Sequence, residues 1–235
     1  MIPKHLTLEH LNTEITACRK CPRLVEWREQ VAREKRKAYR DQEYWGKPVP
    51  GFGDPNARVL VVGLAPGAHG SNRTGRQFTG DGSGNFLYPA LHRAEFANQP
   101  HSSARGDGLT LHDMYITACA RCAPPANKPS REELDICQPF LEREIQIIQP
   151  KVIVVLGRIA FERILRVSSA TVHGLPPAVK FAHGATFKLT GPLKTERWLL
   201  CSYHPSQQNT LTGKLTVAMF DEIWTTAKSL LAGTT

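Results

Sequence analysis

The sequence predicts a parallel α/β fold with helices on both faces of the sheet, on three observations. Four short apolar stretches, RVLVVGL (58–64), MYITACA (114–120), KVIVVLG (151–157) and WLLCSY (198–203), have the composition of buried strands. Segments of helical periodicity separate them, so strands and helices alternate along the chain. Each of the loops 64–83, 119–129 and 204–213, which follow three of these strands, is rich in Gly, Pro, Asn and His. In such sheets the ligand lies beyond the carboxyl ends of the strands.

Taken in order, residues 7–17 place Leu8, Leu11 and Ile15 on one helical face. CRKCP (18–22) interrupts them, and residues 23–40 read as a basic helix. WGKPVPGFGDPNA is a Pro/Gly connection into the first strand. Residues 84–97 read as a helix and 98–108 as a polar loop. APPANKP (123–129) is a rigid turn, and Ser130 with Glu133 forms a capping-box pattern that opens a helix near 131–148. A helix near 158–166 follows the third strand. Residues 168–184 look irregular and contain His173 and His183, to which no role is assigned, and 214–231 form the last helix. With 235 residues and no repeat, the chain is expected to form a single domain, 1–235.

Lys and Arg number 30 against 21 acids, a net charge of +9, which favours an anionic partner, nucleic acid first. Hydrophobic residues are 41% and charged residues 22%, a globular rather than a disordered composition. No apolar run reaches the ~18–20 residues of a membrane span, and MIPKHLTLEHL lacks the apolar stretch of a signal peptide. The expectation is a cytoplasmic monomer, in which the six cysteines are metal ligands or core thiols rather than disulfides.

Cys18 and Cys21 form one C-x2-C pair, and Cys119 and Cys122 a second. Cys119 ends a buried strand, where a free cysteine is an ordinary small hydrophobe, and Cys201 lies inside WLLCSY. The helix near 131–148 can return Cys137 alongside Cys122. Cys18, Cys21, Cys122 and Cys137 are therefore a candidate four-thiolate site, for zinc or an iron–sulfur cluster; spacing alone does not decide.

The loop GLAPGAHGSNRTGRQFTGDGSG (63–84) matches neither G-x-G-x-x-G nor a P-loop. It carries Asp81 between two glycines, Phe78 as a stacking surface or a buried anchor, and Arg73 and Arg76 as phosphate partners or solvated charges. His204 follows a strand directly and is fixed by Pro205; Gln207, Gln208 and Asn209 beyond it reach a DNA groove or are plain loop polarity.

Together GLAPGAHGSNRTGRQFTGD, CARCAPPANKP, SYHPSQQNT and CRKCPRL resemble the uracil-DNA glycosylase superfamily, and within it family 5, the family B enzymes of iron–sulfur type. The likeness runs from about Cys18 to Thr216. It implies an αβα sandwich around a short four-stranded parallel sheet, and a [4Fe–4S] cluster on Cys18, Cys21, Cys122 and Cys137. It implies excision of uracil, and of hypoxanthine and other modified bases, from DNA to leave an abasic site. The related family 4 has a Glu where this chain has Leu64, a difference typical of family 5 that moves the catalytic carboxylate to Asp81. The resemblance places the family's Asn at Asn127 and its final histidine at His204. Gly63, Ala65, His69 and Phe78 would line the base pocket. Arg73 and Arg76 would hold DNA, and Pro205, Ser206, Gln207, Gln208 and Asn209 would press into its minor groove. Two other classes compete: a non-catalytic nucleic-acid-binding module with a structural four-cysteine zinc site, and a nucleotide-binding enzyme acting on small molecules.

Overall fold

A computed structural model describes residues 7–169, 179–190 and 196–233. In chain order the elements are α1 (Leu8–Ala17), α2 (Pro22–Glu34), β1 (Phe52–Gly53), β2 (Val59–Gly63), α3 (Ser71–Thr74), α4 (Gly82–Arg93), β3 (Met114–Ala118), α5 (Arg131–Ile148), β4 (Val152–Leu156), α6 (Arg158–Ser169), β5 (Thr186–Thr190), β6 (Glu196–Ser202), α7 (Gln207–Leu211) and α8 (Val217–Ala232).

The sheet has six strands in the order β1-β3-β2-β4-β6-β5. Its centre, β3-β2-β4-β6, is the expected set of four parallel strands, with Val59 beside both Met114 and Val152, and Val152 beside Trp198. The expectation of a four-stranded sheet is corrected at the edges, where β1 and β5 each add an antiparallel strand. Every residue of β2, β3 and β4 is buried, because helices cover both faces.

Alternation along each strand divides the core in two. Val59 and Val61, with Ile116, Val154 and Leu200, face Leu87 and Leu91 of α4 and Phe220 and Trp224 of α8. Leu60 and Val62, with Ile153, Val155 and Leu199, face Leu141 and Ile145 of α5 and Phe161 and Ile164 of α6. The result is the three-layer αβα arrangement. Leu11 and Ile15 of α1 pack on Phe140 of α5, outside this sandwich.

Local chemistry sets the ends. Ser130 and Glu133 make both bonds of the capping box on α5: the Ser130 amide donates to Glu133 Oε2 at 2.7 Å, and the Glu133 amide to Ser130 Oγ at 3.1 Å. The basic helix expected over 23–40 stops at Glu34, because Lys35 turns to φ 54°, and a short 3₁₀ turn follows at Lys37–Tyr39. The helix expected at 84–97 begins earlier, at Gly82, and ends at Arg93. His173 lies outside the described residues.

From β2 the chain passes to β3 on one side and later to β4 on the other. The carboxyl ends of β2 and β4 therefore flank the point where the connections diverge, which is where an open α/β sheet binds its ligand.

Candidate functional site

The loop leaving β2 curls back over the sheet and ends in Asp81, the N-cap of α4. Asp81 Oδ1 accepts from the amides of Ser83 and Gly84, each at 3.0 Å. That fixes the carboxylate and leaves Oδ2 directed at the glycines of the same loop. A Cβ on Gly70 would overlap the carboxylate, and one on Gly67 would stand 3.0 Å from Oδ2. These two glycines are small so that backbone can approach Asp81 closely. Burial raises the Asp81 pKa; the Ser83 and Gly84 amides and the Arg73 charge oppose the rise without cancelling it.

Phe78 lies beneath this loop and is 8% exposed. Its φ is 52°, a region a bulky residue rarely adopts. The strain is enforced from both sides: a Cβ on Gly84 would overlap the Phe78 carbonyl, and Gly63 at the end of β2 sits under the Phe78 ring. The ring centroid is 5.9 Å from that of His204, with the planes inclined at 34°.

His204 stands just past the end of β6, beside Gly157 at the end of β4. Burial lowers its pKa to about 4, so it is a neutral imidazole at physiological pH. Asn209 Nδ2 donates to the His204 carbonyl at 2.8 Å, and Ser206 caps α7. Asn209 and Ser206 thus brace the turn, Pro205 is buried, and Gln207 and Gln208 are the exposed members of the segment. Gln207 packs against Gly82, which brings the start of α7 to the start of α4.

Asn127 is exposed on the 3₁₀ turn Pro125–Asn127, with φ 57°. His69 Nδ1 is 3.0 Å from the Tyr44 hydroxyl, and burial lowers its pKa, helped by Arg36 and Arg73. Ala65 and Leu64 pack partly buried on the second core.

Arg73 and Arg76 are placed differently from the expectation of surface phosphate partners. Arg73 is buried and donates to the carbonyls of His69 (2.7 Å) and Gly80 (2.8 Å) and to Gln42 Oε1. Arg76 is buried in a two-bond pair with Asp107, at 2.8 and 2.7 Å, and donates to Ser102 at 2.7 Å. Both guanidiniums are used inside the protein, closing the 69–80 loop on itself and tying it to the 98–108 loop.

The cysteines form a second centre. Cys18, Cys21, Cys122 and Cys137 line one cavity, together with Arg121 and Phe140. Cys119 and Cys201 belong instead to the core beneath α5 and α6. All six are free thiols. Among the described residues no three His, Cys, Asp or Glu side chains are drawn together closely enough to hold one metal ion. Arg28, fully buried on α2, donates to Cys122 Sγ at 3.0 Å and to the Cys18 carbonyl at 3.3 Å. Its own carbonyl accepts from Asn72 Nδ2 at 3.2 Å, which links the cysteine cavity to α3 of the glycine loop. Arg28 and Tyr44 lie in no sequence motif, and Asn72 has no signal of its own within the glycine loop; their roles come from contacts between distant segments.

A family model of the Uracil DNA glycosylase superfamily matches residues 50–228. The chain belongs to this superfamily. Among its members, the chain is 54% identical over 217 residues to a type-5 uracil-DNA glycosylase of Thermus thermophilus, covering 92% of this chain and 94% of that one. It is 49% identical over 226 residues to a type-5 uracil-DNA glycosylase of Mycobacterium leprae, covering 95% and 96%. A type-5 uracil-DNA glycosylase of Pyrobaculum aerophilum is 43% identical over 206 residues, covering 88% and 85%. The superfamily match spans all three loops at the carboxyl ends of the sheet, and so contains Asp81, Asn127 and His204.

Proposed function

We propose that this superfamily member is a DNA-repair glycosylase that extrudes uracil from DNA and hydrolyses its N-glycosidic bond. What supports the mechanism is that the loops carrying Asp81 and His204 adjoin, Phe78 lying beside the His204 ring and Gln207 against Gly82, while burial raises the Asp81 pKa and lowers that of His204. Burial thus makes Asp81 a stronger base than a free carboxylate and keeps His204 a neutral donor.

The bond from C1′ to the base nitrogen breaks with its electron pair leaving on the base. Positive charge grows on the sugar, as in glycoside hydrolysis. Asp81 Oδ2, not used in capping, faces that charge and takes a proton from the water whose oxygen attacks C1′. His204, neutral, donates an N–H to the base anion, whose charge develops only in the transition state. The face of Phe78 supports the extruded ring, and Gly63 and Ala65 at the end of β2 let it approach closely. Asn127 offers donor and acceptor to the ring edge or to water. Hypoxanthine and other modified bases enter the same pocket, which is formed mostly by backbone and one aromatic ring. Gln207 and Gln208 enter the minor groove, with Ser206 and Asn209 holding their turn. DNA is held by exposed cations, with Arg73 and Arg76 bracing the loop.

Cys18, Cys21, Cys122 and Cys137 would hold a [4Fe–4S] cluster. The donor set is four sulfurs around an open cavity, which fits a cluster of several irons better than one ion, and the Arg28 guanidinium donates to one of the sulfurs. When bound, the cluster supplies a cross-link between the α1–α2 turn and the segment from Cys122 to α5. A zinc-bearing binding module without catalysis is not favoured, because a pure binding surface has no use for a carboxylate whose charge burial disfavours.

The test is a duplex carrying uracil, hypoxanthine or no lesion, with abasic sites scored by alkali cleavage and the visible spectrum of the protein recorded alongside. Excision from the uracil duplex by a brown protein supports both assignments. A protein that binds DNA, carries its cluster and excises nothing overturns the enzymatic one.

A further inference from the structure

We infer that His183 is a positioning residue for His204, holding the end of β6 through the backbone of Tyr203. The inference rests on the role proposed above for His204, and His183 itself has no place in that mechanism.

Strand β6 ends at Ser202, so the Tyr203 amide has left the ladder. It donates to His183 Nδ1 at 3.1 Å. The other ring nitrogen, Nε2, lies 3.3 Å from the carbonyl of Met219 on α8. A carbonyl only accepts, so Nε2 carries the hydrogen and Nδ1 presents a lone pair. The two neighbours select one species, the neutral Nε2–H tautomer. The imidazole also stacks on the Tyr203 ring, with centroids 5.0 Å apart and planes 24° apart. His183 therefore grips Tyr203 by its amide and by its ring, one residue before His204. Asn209 holds the same dipeptide from the far side, through the His204 carbonyl.

The grip depends on a proton. A second proton on His183 would sit at Nδ1 and set a donor against the Tyr203 amide. Burial lowers the His183 pKa and keeps this from happening near neutrality; the Met219 carbonyl and Glu222 of α8 act in the opposite sense. Lys214 is also close, its ammonium 5.1 Å from the centre of the Tyr203 ring. Acidification should release the Tyr203 amide while α8 still holds Nε2.

Two variants and one spectrum test this. His183→Asn keeps a neutral acceptor near the position of Nδ1; His183→Leu removes it. Single-turnover excision should fall about tenfold or more in His183→Leu, with little change in DNA affinity, and His183→Asn should recover most of the rate. Nitrogen NMR of the wild-type protein should show the Nε2–H tautomer, with the Tyr203 amide resonance moving along the His183 titration. An Nδ1–H tautomer, or a Tyr203 amide indifferent to that titration, overturns the inference. So does a folded His183→Leu protein with an unchanged rate. If the wild-type protein excises nothing, the proposed function fails, while the resonances still decide whether His183 holds Tyr203. They also decide if His183→Leu does not fold.

Discussion

Asp81 and His204 lose water in the same site, and the loss acts on them in opposite directions. Desolvation disfavours whichever form is charged. The folded Asp81 pKa lies above 3.8, so its stabilising contribution is present below pH 3.8 and is lost as pH rises through the raised value. At neutral pH the fold bears an unfavourable carboxylate. Asp81→Asn keeps an acceptor for the Ser83 and Gly84 amides while removing the charge. Its melting temperature at pH 7 should therefore exceed the wild-type value, a gain set against function. For His204 the folded pKa is about 4 against 6.5, so its contribution is complete above pH 6.5 and is lost as pH falls toward 4. Denaturant midpoints should fall across that window in the wild-type protein, and less steeply in His204→Asn. Arg76 belongs to the same scale. It is an internal clamp, so Arg76→Gln should lower the melting temperature and leave the salt dependence of DNA binding unchanged. A flatter salt slope would return Arg76 to the DNA surface.

Among the elements, the start of α4 and the loop before it form one unit, in which the glycines matter by what they allow near Asp81. Gly70→Ala must displace the carboxylate or the backbone, and should cut excision by about tenfold or more while circular dichroism stays unchanged. The four parallel strands were legible because each is a continuous apolar run. The edge strands were not. β1 has two residues, too few for any pattern. β5 (TFKLT) carries Lys188 at its centre, and its exposure alternates as befits an edge. Asp81, Phe78 and His204 were legible because small residues, or a strand end followed by proline, isolate them in the sequence. Arg73 and Arg76 read as surface cations because their partners, Gln42 and Asp107, lie about thirty residues away in the chain. His183 went unassigned for a similar reason: its two partners are backbone atoms of Tyr203 and Met219, which no side-chain pattern reveals.

At the scale of the whole molecule, two centres face each other through shared framework. The cysteine cavity touches Arg28; the Arg28 carbonyl is held by Asn72, and α3 leads on to Phe78 and Asp81. Cys137→Ser should lose the visible absorption of the proposed cluster, whereas Cys119→Ser, in the core, should keep it; the reverse result would exchange their roles. Among the described residues no helix is long and apolar enough to cross a membrane. The net charge of +9 suits a polyanionic partner instead. The most direct measurement compares wild-type and Asp81→Asn protein in single-turnover excision from one uracil-bearing duplex, with DNA affinity measured on the same samples. The account predicts excision by the wild-type protein, a loss of about 10²-fold or more in the variant, and equal affinities. A variant that binds and cleaves like the wild type would contradict it.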